Sequence, residues 1–174
     1  ILTVGRARPL GICGSGLIDL VAELFMARVI DRNGKFSLEK QGPRLRRGEN
    51  GMEYVLCFAS ETGIERDIVL NEIDLDNIMR TKAAVYAGCT VLLKSGGIEF
   101  TDLDSVIIAG GFGHSIDIEK AIIIGLLPQL PVENFRFMGN TSLGGARIAA
   151  VSREFYTKTA DIARAMTNIE LSGN

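Results

Sequence analysis

Apolar residues at Leu17, Ile18, Val21, Leu24, Phe25 and Val29 recur at helical spacing, which predicts a helix beginning at Ser15 or Gly16 with one buried face. The run Asp31-Arg32-Asn33-Gly34 has the composition of a turn between short strands. Residues 54–59 and 67–71 read as strands. A long helix follows, with Asp74 as its cap and Asp76 near its positive end, and Gly96-Gly97 stops it after about residue 95. Leu75, Ile78, Met79, Lys82, Tyr86, Cys89 and Leu93 trace one side of that helix, and Val85 and Leu92 widen the stripe. Residues 106–109 are apolar, bounded by turns and too short for a helix, so they predict a strand buried on both faces between layers of helix. Asp117 starts the next helix through Ile118, Ala121 and Ile122, with Gly125 weakening it and Pro128 following its end. A short strand at 135–138, a helix at 142–152, a last helix at 157–166 and an edge strand at 169–171 complete the pattern. Residues 1–4 read as the end of a strand begun upstream or as one arm of a hairpin. The charged, Gly- and Pro-bearing stretch 37–50 reads as a surface loop.

Strands alternating with helices predict an α/β protein, a layered sheet with flanking helices. Ligands of such sheets collect at strand ends where the loops diverge. The bulk composition adds one large domain or two small lobes for 174 residues, of which 47% are apolar. Aromatics are 6% and Trp is absent, while Gly numbers 20, so the core is aliphatic and much of the chain is spent on tight turns. A net charge of -2 gives no general attraction to nucleic acid or to an anionic membrane. Arg44, Arg46 and Arg47 form a local basic cluster, a solvated loop or a phosphate-binding patch. Cys13, Cys57 and Cys89 contain no CxxC pair and His114 is the single histidine, so the chain carries no iron–sulfur, zinc or multi-histidine motif and no metal ligand set. Reduced cysteines without a secretory stretch predict a cytoplasmic setting. The longest apolar run, 121–127, is far short of a membrane span.

Three glycine-rich stretches are the candidate sites. Gly110-Gly111-Phe112-Gly113 follows the strand at 106–109, and three glycines in four positions cost roughly 0.5–1 kcal/mol each relative to Ala, a cost that close approach to a ligand explains. A plain tight turn is the alternative. Phe112 is a core plug or a wall for an adenine ring, and His114 is a turn residue or a phosphate hydrogen-bonder. The stretch matches neither the dinucleotide fingerprint nor the P-loop. Gly11-Ile12-Cys13-Gly14-Ser15-Gly16 precedes a helix whose free amides suit an anion, with Ser15 as a helix cap the compatible alternative. Cys13 there has the helix-start environment that lowers a thiol pKa, but no base stands beside it. In Gly139-Asn140-Thr141-Ser142-Leu143-Gly144-Gly145-Ala146, Thr141 or Ser142 caps the helix, and Gly144 to Ala146 permit close helix packing or ligand approach. Asp19, Asp31, Asp102, Asp104 and Asp117 form no recognisable acid/base or magnesium set. Asp19 reads as the solvated face of its helix, and Asp117 as a cap.

The stretches Gly11-Ile12-Cys13-Gly14-Ser15-Gly16-Leu17-Ile18-Asp19, Ile108-Ala109-Gly110-Gly111-Phe112-Gly113, Gly125-Leu126-Leu127-Pro128 and Gly139-Asn140 resemble the C-terminal domain of the reductive activators of corrinoid proteins. These belong to the acetate and sugar kinase, heat-shock chaperone and actin superfamily. The resemblance implies a ribonuclease H-like, actin-like ATPase lobe over residues 1–174. It implies ATP with Mg2+ in a cleft between two lobes, driving one electron onto Co(II) cobalamin to give Co(I). It assigns Gly110, Gly111, Phe112 and Gly113 to the adenosine side, Gly139 and Asn140 with Gly144 to Ala146 to a connecting segment near the hinge, and Gly11 to Ser15 to a loop facing the cleft, with Gly14 and Ser15 as its cofactor-binding residues. The family's acidic phosphate loop and its cluster-binding cysteines have no counterpart here, so the chain reads as a fragment. The iron–sulfur cluster is then expected elsewhere in the parent. A corrinoid protein and the parent's other domains are the expected partners, with a homodimer possible, and with no nucleic acid or membrane. A small-molecule kinase of the same superfamily and a non-catalytic docking lobe are the competing functions.

Overall fold

The computed structural model describes residues 3–40, 42–111 and 115–170. It divides into two compact units, Ile1–Tyr86 with Asp117–Leu127, and Ala87–Ile116 with Pro128–Asn174. The architecture is mixed α/β, sheets flanked by helices.

The first unit opens with α1, Gly14–Met26. Its buried face, Ile18, Val21, Ala22 and Leu24, is the one the spacing predicts. The turn at 31–34 forms as expected. The Asp31 carboxylate accepts from the amides of Asn33 and Lys35, both at 2.8 Å, Gly34 takes a positive φ of 73°, and Ile30 bridges Phe36. Strands β1 (Leu45–Gly48), β2 (Gly51–Cys57) and β3 (Ile68–Asn71) make an antiparallel sheet in chain order. Leu45, Val55 and Leu70 are buried in it. Part of the stretch expected as loop is therefore strand. β1 carries one apolar residue on its buried side, and Arg46 fixes it from the other face by bonding Glu53 at 2.9 Å and Asp67 at 2.5 Å. Arg44 donates to the carbonyls of Val55 and Leu56 and stacks on Phe58, so two of the three clustered arginines hold protein rather than await phosphate.

Helix α2, Glu72–Ser95, begins earlier than Asp74 because Asn71 caps it. The Asp74 amide donates to Asn71 Oδ1 at 2.9 Å, and the Asn71 amide to Asp74 Oδ2 at 3.1 Å, a reciprocal capping box. Leu75 is buried, but Val85 and Leu92 are exposed rather than part of the buried stripe. Helix α3, Ile118–Ile123, is capped by Asp117 as expected. It packs on α1 through Ile118 and Ala121.

The second unit contains β4, Val106–Ile108, and β5, Phe135–Phe137, paired in parallel. β4 is not buried on both faces: Ile107 is 62% exposed, so its face of the two-stranded sheet is not covered by the described residues. Helix α4, Thr141–Val151, is capped by Asn140 and not by Thr141 or Ser142. Helix α5, Arg153–Ala165, starts at the Ser152 cap, earlier than the expected residue 157.

The expected strand at residues 1–4 is replaced at Val4–Arg6 by a 3-10 turn, where Gly5 and Arg6 have positive φ that no strand accommodates. Ile1 and Leu2 lie outside the described residues. Residues 166–170 form no strand, and Leu171 also lies outside. Replacing the α2 cap, Asn71→Ala, should cost about 1 kcal/mol, read as a lowered urea midpoint with an unchanged slope.

Candidate functional site

The two glycine turns of the second unit meet. Beyond the last paired residues of the sheet, the Met138 amide donates to Ile108 O at 3.0 Å, and the Gly110 amide donates to Gly139 O at 2.7 Å. Parallel strands thus release both turns side by side at their carboxyl ends. Gly110 (φ 116°) and Gly139 (φ 65°) occupy backbone conformations that a side chain strains against. Gly111 has no such excuse. A Cβ there would meet no described atom within 4 Å, and the same is true at Gly110, Gly139, Gly144 and Gly145. Close helix packing therefore does not account for Gly144 and Gly145, and α4 is exposed along nearly its whole length. What the bare backbone leaves is open space at a strand-end turn and along the first turns of a helix. Asn140 fixes the start of that helix: its Oδ1 accepts from the Leu143 amide at 3.0 Å, and its carbonyl from Gly144 at 3.0 Å. Phe112, Gly113 and His114 lie outside the described residues.

In the first unit the Gly11–Gly16 loop leads into α1, and the cap is Cys13 rather than Ser15. Cys13 Sγ accepts from the Gly16 amide at 3.4 Å, and its carbonyl accepts from Leu17 at 2.9 Å. The Ser15 hydroxyl lies 3.5 Å from the same sulfur. These bonds, the Ser15 contact foremost and the Gly16 amide next, hold the Cys13 thiol below its ordinary pKa, while burial pushes the Cys57 thiol up. Cys13 and Cys57 both line a cavity of about 630 Å3 with Leu20, Ile68, Asp19 and Lys120.

Two lysines have roles the sequence reading did not assign: Lys120 escaped it, and Lys82 was placed only on one side of its helix. Lys120 Nζ lies 3.1 Å from Glu23 and 3.8 Å from Asp19, and the Glu23 bond raises its pKa. Asp19 Oδ1 is enclosed and has no hydrogen-bond partner, so this carboxylate is not a purely solvated face. Lys82 Nζ donates to Ile124 O at 2.6 Å, and desolvation lowers its pKa. A lysine interrupting an apolar stripe was the one signal available for either. Among the described residues, no group of three or more His, Cys, Asp or Glu is placed to hold a metal, and no helix is long and apolar enough to cross a membrane.

Glycine turns released together from parallel strands, in a mixed α/β setting, fit a lobe of the acetate and sugar kinase, heat-shock chaperone and actin type, and the family match identifies it as one of that superfamily, which binds nucleotides as a class. Residues 1–174 match the family described as the C-terminal domain of RACo, the ASKHA domain, and the chain belongs to that family. It is 35% identical over 176 residues to the corrinoid activation enzyme RamQ of Eubacterium limosum, covering 97% of this chain and 30% of that protein. It is 26% identical over 162 residues to a [Co(II) methylated amine-specific corrinoid protein] reductase of Methanosarcina barkeri, covering 90% of this chain and 25% of that one. The solved structure of a reductive activator for corrinoid,iron-sulfur protein superposes with a TM-score of 0.92 at 48% identity, covering 99% of this chain and 27% of the other. The chain thus spans less than a third of the length of each.

The lowered Cys13 pKa sets a chemical expectation. A larger thiolate fraction at neutral pH makes Cys13 the fastest of the three cysteines to alkylate at pH 7, and Ser15→Ala, by letting the pKa rise, should slow it about threefold there and little at pH 10. Site-resolved mass spectrometry of iodoacetamide labelling across that pH range reads both effects.

Proposed function

We propose that this chain is the nucleotide-binding C-terminal lobe of an ATP-dependent reductive activator of a corrinoid protein. The observation that carries the reading is the pair of hydrogen-bonded glycine turns, Gly110-Gly111 and Gly139-Asn140, whose exposed backbone leaves room where side chains would stand. Gly111 and Gly139 admit the nucleoside face of ATP. Asn140 holds the start of α4 in place, and the open positions at Gly144 and Gly145 accept the ligand's remaining bulk. Gly14 and Ser15, at the start of α1, supply amides suited to an anion, a second and separate element of the assignment.

ATP, as its Mg2+ complex, supplies the hydrolytic free energy when bound. In the activator, an iron–sulfur cluster held outside these residues would supply the one electron that takes Co(II) of the corrinoid to Co(I), and hydrolysis of ATP with water to ADP and phosphate would supply the free energy of that uphill transfer. This chain's share is to bind and orient the nucleotide. Superfamily-type closure over ATP then changes the fit to the corrinoid protein. The relatives described above, named for corrinoid activation or reduction, favour this reading over a small-molecule kinase. The remaining domains of the parent and a corrinoid protein are the partners, in a cytoplasmic setting.

A branched side chain at Gly111 obstructs the open space at the turn without straining its backbone. In the full-length polypeptide, Gly111→Val should lower ATP turnover stimulated by the corrinoid protein by about tenfold or more, the equivalent of ~1.4 kcal/mol of lost binding or transition-state stabilisation. Unchanged turnover would overturn the assignment of that loop.

A further inference from the structure

Helix α1 ends in an arrangement that ordinarily calls for glycine. The Val29 amide donates to Leu24 O at 2.8 Å and the Arg28 amide to Phe25 O at 2.9 Å, the paired bonds of a Schellman motif. Arg28, just past the helix end, takes a φ of 57°. A residue with a Cβ is strained in that conformation, and glycine or asparagine is the usual solution. The Arg28 side chain makes no compensating contact. It is exposed and has neither a hydrogen bond nor an ion pair among the described residues.

Arg28 instead lines a groove of about 620 Å3 at the junction of α1 with the 31–34 turn. Phe25, Met26, Ile30 and Phe36 give the groove its apolar wall, and Met26 keeps about half its surface in solvent. Arg32 and Lys35 join Arg28 as its cations. A smaller apolar pocket of about 280 Å3 adjoins it, sharing Phe25, Ile30 and Arg32 and adding Met79, Ile123 and Lys82.

Four cations line these two hollows, against Asp31 as the one carboxylate. That carboxylate is already engaged by the amides of Asn33 and Lys35, both at 2.8 Å. Lys35 has its own partner, Asp76, at 3.1 Å. Arg32, like Arg28, has no side-chain partner among the described residues. Lys82 holds the carbonyl of Ile124 at 2.6 Å but no described carboxylate. Two other cations of the same unit are matched where they meet protein: Arg46 by Glu53 and Asp67, and Lys120 by Glu23 and Asp19.

Such a surface suits an occupant that carries several negative charges and an apolar anchor. A lone phosphate fits it poorly, because Asp31 already takes two of the turn's amides and the cations come from three places, the end of α1, the turn and α2. The net charge of -2 gives no general pull on a nucleic acid or an anionic membrane. Carboxylates spaced along a peptide segment match separated guanidiniums, each able to hold one by two parallel hydrogen bonds, while an apolar side chain enters the smaller pocket. We propose that this face of the first unit docks the corrinoid protein through an acidic segment of that partner bearing an apolar anchor. The proposal rests on the reading of the chain as a lobe of a corrinoid activator. Arginine occupies a position suited to glycine because the partner, rather than the fold, uses its guanidinium.

The test uses the full-length polypeptide with the Co(II) form of the corrinoid protein that stimulates its ATP turnover. Calorimetry gives the Kd of the complex and stopped flow its association rate, both over a range of salt, with ATP affinity and the thermal midpoint measured alongside. Arg28→Glu combined with Arg32→Glu should raise the Kd of the complex about tenfold or more, mainly through slower association, and flatten its salt dependence, with the ATP Kd within about twofold of wild type. Arg28→Gly is the sharper variant. Relief of the backbone should hold or raise the thermal midpoint, while the complex weakens about threefold. Ile123→Ser should weaken the complex about threefold with its salt dependence kept. An unchanged Kd in the double arginine variant or in Ile123→Ser overturns the proposal. So does a weakening in Arg28→Gly that comes with a lowered thermal midpoint, since the guanidinium then serves the fold or another domain of the same polypeptide. Binding of wild type to phosphatidylserine vesicles that the double variant loses, with its hold on the corrinoid protein intact, gives the face to a membrane and overturns the proposal as well. The two readings fail separately. If the corrinoid protein stimulates the wild type and the arginine variants bind it normally, the docking surface fails alone; if it neither binds nor stimulates the wild type, the functional reading fails first.

Discussion

One backbone hydrogen bond governs the geometry of the second unit. The Gly110 amide reaches Gly139 O only if both residues turn away from the sheet in conformations with positive φ, and only glycine adopts these without strain. With that bond and the Met138 amide on Ile108 O in place, two loops from distant parts of the chain leave the parallel pair together, and an added Cβ at Gly110, Gly111 or Gly139 would meet no described atom within 4 Å. Core packing does not account for the bare backbone at Gly111, Gly144 or Gly145.

The same economy runs through the rest of the molecule. The start of each α-helix is fixed by a named polar group: Cys13 for α1, the Asn71–Asp74 pair for α2, Asp117 for α3, Asn140 for α4 and Ser152 for α5. Arg46 serves the sheet as these caps serve the helices, binding β1 to Glu53 on β2 and to Asp67 just ahead of β3. Cys13 stands apart among these caps, because the Ser15 hydroxyl foremost and the capping Gly16 amide next also favour its thiolate.

The amphipathic face of α1, the turn at 31–34, strands β2, β3 and β5, and the Asp117 cap were legible because each is written within a few consecutive residues. The superfamily, too, could be recognised from the glycine motifs. What could not be read depends on partners far away in the chain. Strand β1 has the composition of a loop, and only its pairing with Tyr54 and Glu53 makes it a strand. β4 looks buried because its residues are apolar, yet burial is a property of what lies against it. Asn140 outranked Thr141 and Ser142 as a cap by geometry that hydroxyl counting does not reveal. Lys120 reads as an ordinary charged residue until Asp19 and Glu23 are folded beside it. Of the proposed site, the glycines were visible in advance, and the hydrogen bond that joins Gly110 to Gly139 was not.

The path of the chain between the two units has a practical result. The backbone passes from the first unit to the second after Tyr86, returns for residues 117–127, and leaves again. Neither unit is a continuous stretch, so no single truncation isolates either one, and an excised first half lacks α3, which packs on α1. Domain dissection by terminal deletion is thus closed to this fold. A linker that joins Tyr86 directly to Asp117, bypassing the intervening residues, is the rational route to a minimal version of the first unit.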